Sequence, residues 1–150
     1  MKRFILAGAV LALVACNGAY ASDEDDVTAA ITAFINAVNT GDFKAAAATH
    51  VAAPSIIDEF PPHHWQGPTA FNDWLADFGK DSAARKVTDS KLKPHSAKRL
   101  IVEGDHAYVV MPTDYTFKQN GKTMAEYGTI TYALDKTTTG WRIAAWAFSW

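Results

Sequence analysis

The sequence predicts an α+β protein in which helices come first and an antiparallel sheet follows. Apolar residues recur at helical spacing up to about residue 79, then alternate from about residue 86 onward. An Asn-Gly pair at 120–121 marks a tight hairpin between the two longest alternating runs. At 150 residues the chain has room for one domain with a real core, and too little for two. Its composition, 49% hydrophobic and 20% charged, is globular and excludes a disordered or collagen-like chain.

The first residues read as a leader. Lys2 and Arg3 precede the apolar run FILAGAVLALVA, which is too short to span a membrane. Ala19-Tyr20-Ala21 before Ser22 fits a signal-peptide cleavage site, giving a leader over 1–21 and a domain over 22–150. A second reading stays open. Leu13-Val14-Ala15-Cys16 resembles a bacterial lipobox, which would make 1–15 the leader and Cys16 a lipid anchor. Both readings predict export, to the periplasm, the medium or a membrane surface. Cys16 is the only cysteine, so cleavage before Ser22 leaves no thiol for a disulfide, a nucleophile or a metal. Losing Lys2 and Arg3 takes the formal charge from −2 to −4, which argues against a nucleic-acid partner.

Ser22 followed by Asp25 resembles a capping box, and the acidic run 23–26 suits the positive end of a helix dipole. Val27, Ile31, Phe34 and Val38 form the apolar stripe of this first helix, and Gly41 stops it. Asp42 caps a second, alanine-rich helix through about His50. Pro54 ends any continuation, and Ser55-Ile56-Ile57 reads as a short strand entering Asp58. A third helix is expected from Gly67 and Pro68, with Phe71, Trp74, Leu75 and Phe78 on one face and Gly79 closing it. Between strand and helix, Pro61-Pro62 stiffens the chain and holds Trp65 over one end of the core.

Residues 86–95 form a polar strand suited to a sheet edge. Strands are predicted over 97–103, 106–118, 122–134 and 141–150. A two-residue turn at Asn120-Gly121 pairs Gln119 with Lys122, and counting outward puts Phe117 opposite Met124, Tyr115 opposite Glu126, Met111 opposite Ile130 and Val109 opposite Tyr132 on one face. That apolar face must be the one the helices cover. Glu126 is the exception on it, and must pair with a group such as Tyr115, meet a water-filled cavity, or reach solvent at the sheet rim.

Three segments, AFINAVNTGDFKAAAATH, APSIID and GWRIAAWAFSW, resemble the NTF2-like superfamily, in particular its SnoaL-like and ketosteroid-isomerase-like members. The resemblance covers residues 23–150. It implies a cone of three N-terminal helices packed on a curved antiparallel sheet, a ligand-sized cavity inside, and dimerisation through the outer sheet face. It also implies that the general-base aspartate of the isomerase-like members falls on Asp58. Their two oxyanion donors fall on Phe34 and Ile130, which donate nothing, so steroid-isomerase chemistry is not expected.

Asp58 is thus the one catalytic candidate, with a loop-capping role as the alternative. Phe34, Met111, Tyr115, Glu126, Ile130 and Tyr132 are expected to line the cavity, together with Trp65 and one of His63 and His64. Trp146 joins them if the last turn gives its strand the right parity. Adjacent histidines project apart and the other three show no ligand spacing, so no metal is expected. No glycine-rich phosphate loop, Gly-x-Ser-x-Gly elbow or His-Glu-x-x-His helix occurs, and no cofactor is expected. The leading expectation is an exported module that binds a small, largely hydrophobic molecule. The alternatives are a proton-transfer enzyme using Asp58 as base, and a dimeric envelope module without a ligand.

Overall fold

The computed structural model describes residues 22–150; both leader readings and Cys16 lie outside the described residues. The chain runs α1 (Asp23–Thr40), α2 (Phe43–Ala48), β1 (His50–Ile57), β2 (His64–Gln66), α3 (Ala70–Arg85), β3 (Val87–Pro94), β4 (Arg99–Glu103), β5 (His106–Gln119), β6 (Lys122–Thr137) and β7 (Gly140–Ser149). The fold is α+β, with three helices packed on one face of a curved, mostly antiparallel sheet. Among the described residues no helix is long and apolar enough to cross a membrane.

Ser22 and Asp25 make the capping box at the start of α1: the Asp25 amide donates to Ser22 Oγ and the Ser22 amide to Asp25 Oδ2, each at 3.2 Å. Val27, Ile31, Phe34 and Ile35 are buried, as a helical stripe requires. Gly41, at φ 76°, turns the chain out of the helix, and Asp42 caps α2 through the Ala45 amide.

Two helix boundaries differ from expectation. α3 begins at Ala70 instead of Pro68, and it continues past Gly79 to Arg85. One glycine costs a helix only about 1 kcal/mol, and here the Asp77–Lys80 pair spans Gly79 and the Asp81–Arg85 pair supports the turn after it. The chain leaves the helix at Lys86, whose φ is 58°. α2 is shorter than expected because β1 already begins at His50.

The sheet order is β2-β1-β7-β6-β5-β3, with β4 also paired to β5. The β5–β6 register is the one counted from Asn120-Gly121, from Gln119↔Lys122 through Tyr115↔Glu126 and Met111↔Ile130 to Ala107↔Leu134. β3 forms an edge, as its polar pattern predicts. It bypasses β4 and pairs directly with β5, so β3 and β4 lie end to end along the same side of β5. β1 pairs parallel with β7, which departs from a purely antiparallel meander. Pro54 lacks an N–H and sits within β1 where the pairing to β7 breaks, between His50 and Ser55. β2, unforeseen in the sequence, hairpins onto β1 and pairs Ile56 with Trp65.

Bulges decide what faces the core. In β7 the register jumps between Leu134↔Ile143 and Ala133↔Ala145, leaving Ala144 as an extra residue. Ile143 and Trp146 have opposite parity, yet both point inward and are buried. β3 does the same through Asp89 and Ser90, so Val87 is buried and Leu92 packs on the core. Tyr108, Tyr127 and Ile57 remain exposed on or beside the outer face.

Gly128 is a steric necessity in this arrangement. A Cβ there would lie 2.6 Å from the Phe148 ring and 2.8 Å from the Ser149 carbonyl oxygen. Gly128→Ala is predicted to destabilise the fold by about 1–3 kcal/mol in urea unfolding; an unchanged midpoint would mean that β7 does not close over β6 in this way.

Candidate functional site

Between α3, the end of β1 and the concave sheet lies a cavity of about 170 Å³. Its apolar wall comes from Phe34 on α1, Trp74 and Phe78 on α3, Ile130 on β6, and Trp146 and Phe148 on β7. Phe60, from the loop after β1, adds to it, resting at 5.1 Å on Trp65 and 5.9 Å on Phe78.

Asp58 follows β1 directly, and its carboxylate lines the cavity. Trp74 Nε1 donates to Asp58 Oδ2 at 2.9 Å, and the Glu59 amide donates to Oδ1 at 2.8 Å. Both bonds favour the charged form, but burial outweighs them; with repulsion from Glu59 and Asp81 it holds the Asp58 carboxyl above the ordinary aspartate range. Tyr115 lines the same cavity and shares a 2.8 Å hydrogen bond with Ser90 Oγ. Burial raises the Tyr115 phenol, so the hydroxyl keeps its proton at neutral pH.

Five of the residues expected at the cavity line it: Phe34, Asp58, Tyr115, Ile130 and Trp146. The β7 bulge supplies the parity that brings Trp146 inward. The others lie elsewhere. His63 and His64 are exposed, with His63 Nδ1 3.3 Å from the Asp58 carbonyl oxygen and His64 Nε2 3.0 Å from Ser55 Oγ on the edge hairpin. The hairpin that carries them turns both away from the interior. Trp65 is buried behind Phe60 and donates to Asp77 at 3.0 Å. Met111 and Tyr132 share the inner face but are sealed in the packed core, Tyr132 edge-on to Phe34 at 6.4 Å. The Tyr132 hydroxyl has no partner among the described residues.

Glu126 sits beside the cavity without lining it. Its Oε1 is 4.0 Å from Arg85, and its Oε2 is buried with no hydrogen-bond partner among the described residues. Tyr115, the partner the register offers, bonds Ser90 instead. Burial and the charge of Glu59 push the Glu126 carboxyl up, against the pull of Arg85.

Arg85 and Asp81 are not among the residues the sequence points to, because a helix closing at Gly79 leaves them outside it. Their i, i+4 spacing on a continued helix was the signal available. His50 is not among them either. It is buried against Phe34 and Phe71, each at 5.1 Å, and its Nδ1 donates to the Ala46 carbonyl. Its Nε2 accepts from Trp146 Nε1 at 3.2 Å, fixing the ring as the neutral tautomer behind a cavity wall.

The model of the SnoaL-like domain family matches residues 27–150. The chain belongs to the SnoaL-like domain family. Its fold is that of the wider NTF2-like superfamily. An NTF2-like protein with a cystatin-like fold from Novosphingobium aromaticivorans superposes with a TM-score of 0.69 at 16% identity, over 84% of this chain and 80% of that one. A ketosteroid isomerase-like protein from Erwinia carotovora atroseptica gives 0.68 at 21% identity, over 87% and 97%. An NTF2-like superfamily protein from Salmonella enterica gives 0.69 at 20%, over 85% and 89%. At these identities the likeness is one of fold. No curated protein matches the sequence.

The SnoaL-like domain carries an acid-sensitive element in His50. Burial lowers its pKa from 6.5 to about 4. A histidine held neutral in the fold stabilises it fully above 6.5, and that contribution is lost as pH falls toward 4, because the unfolded chain takes up the proton first. The window amounts to about 3 kcal/mol. Urea unfolding at pH 7 and pH 4 should show this loss in the wild type and a smaller one in His50→Gln; equal losses would contradict the assignment.

Proposed function

We propose that this SnoaL-like domain is an exported binding module whose cavity receives a small, largely apolar molecule. The observation that carries the reading is an apolar cavity of about 170 Å³ with a half-buried carboxylate, Asp58, held by an indole N–H. Such a site favours a ligand with an apolar body and one polar group that meets Asp58. Export rests on the leader features around Lys2, Arg3 and Ala19-Tyr20-Ala21. The exposed Tyr108, Tyr127 and Ile57 suit a homodimer through the outer sheet face.

Phenethyl alcohol and hexanol are suitable neutral probes. Saturating amounts are predicted to raise the unfolding temperature by about 2 °C or more. Ile130→Trp, which fills the cavity, removes the rise. No shift in the wild type, or the same shift in the filled variant, would refute the reading.

A second reading, proton transfer with Asp58 as general base, is favoured by the raised Asp58 carboxyl and by the protonated Tyr115 in the same cavity. Against it stand Phe34 and Ile130, which offer no donor to a developing oxyanion. The two roles make joint demands on Asp58→Asn. A carboxyl whose folded pKa is raised loses stability as it ionises, so the neutral amide should raise the unfolding midpoint at pH 7 and lose that advantage at low pH. If Asp58 is a base, α-proton exchange of benzylacetone in heavy water should fall about 10²–10⁴-fold in the variant. Exchange at equal rates in both proteins excludes the enzymatic reading.

A further inference from the structure

The cavity is acidic at one end and aromatic along its wall. Asp58, Glu59 and Asp81 line it, and Glu126 stands across the same end, 4.0 Å from Arg85. Arg85 reaches Asp81 at 3.4 Å and Glu59 at 3.7 Å, so one guanidinium is divided among three carboxylates, with close pairing to none. Lys91 is the other cation on the lining, and its ammonium is taken by the Asn39 carbonyl. Four carboxylates therefore face two cations that are already engaged.

The shortage shows in unmet acceptors. Glu126 Oε2 is buried and accepts no hydrogen bond among the described residues. Each Asp58 oxygen receives a single donor, although a carboxylate oxygen can accept two. Trp74 reaches Asp58 through its indole N–H and stacks on Phe78, with centroids 5.5 Å apart and planes 18° apart. The electron-rich faces of such rings attract organic cations and give anions nothing.

We propose that the ligand is an organic cation: a protonated amine on an apolar body, its ammonium donating to Asp58 and its body lying between Trp74, Ile130 and Trp146. The inference rests on the reading that the cavity binds a ligand, and adds the charge of the head group. An ammonium supplies donors and positive charge together, at the end that is short of both. A carboxylate of the same shape meets four like charges there.

Calorimetric titration of the protein with three matched probes tests this: phenethylamine, phenethyl alcohol and phenylpropanoate. Phenethylamine should bind about tenfold or more tighter than the alcohol, weaken as salt is added, and leave phenylpropanoate the poorest of the three. Asp58→Asn should weaken the amine about tenfold or more beyond its effect on the alcohol, closing the gap between the two; an unfolding scan checks that the variant is folded, and an equal effect on both probes overturns the charge pairing. Alcohol or carboxylate binding as tightly as the amine overturns the cationic ligand and leaves the apolar cavity standing. Failure of all three probes overturns both.

Discussion

The cavity depends on a constraint of β-structure: successive side chains leave a strand on opposite faces, so a regular strand cannot send both Ile143 and Trp146 inward. One extra residue in β7, Ala144, removes the conflict and bends the strand. The Asp89–Ser90 bulge in β3 does the same for Val87 and Leu92. These two irregularities curve the sheet so that α1 and α3 cover it without filling it. Phe148 then closes over Gly128, where no other side chain fits. Removing either bulge would turn large apolar groups to solvent and collapse the space that Trp146 now borders.

The same bends place the polar groups. The β3 bulge brings Ser90 to Tyr115, and the end of β1 delivers Asp58 to Trp74. A half-buried carboxylate with other acids beside it is a poor choice for stability, since desolvation and repulsion both raise its pKa. His50 illustrates the opposite economy of design: it is buried neutral, bonded at both ring nitrogens, and it steadies Trp146. One group is held in an unfavourable state at the cavity, and the other is fully satisfied behind it. That contrast separates the part of the molecule that faces the cavity from the part that supports it.

Local chemistry made much of the fold legible in advance. Ser22 and Asp25 announced α1, and Asn120-Gly121 set a register that holds over the whole β5–β6 hairpin. Such signals sit within a few residues of what they determine. The missed features depend on partners distant in sequence. β1 pairs parallel with β7, and β4 shares β5 with β3, choices made by tertiary packing and by no motif. Gly79 reads as a helix stop by its local conformational freedom, whereas the ion pairs around it carry α3 on to Arg85. Within the site, Asp58 could be located from the resemblance, and Tyr115 and Ile130 from the register, which also set Glu126 beside the cavity. His63, His64 and Trp65 could not be placed, because a short hairpin that no pattern revealed turns the two histidines to solvent and buries Trp65 in the core behind Phe60.

The five tryptophans provide the most direct test of the central claim, that a ligand enters the hollow beside Asp58. Trp74 and Trp146 line that hollow, whereas Trp141 packs near Asp23 and Trp150 is exposed. In a proton–nitrogen correlation spectrum, titration with phenethylamine should move the indole resonances of Trp74 and Trp146 and leave those of Trp141 and Trp150 in place. Movement confined to Trp150, or no movement at either cavity indole, would contradict the account.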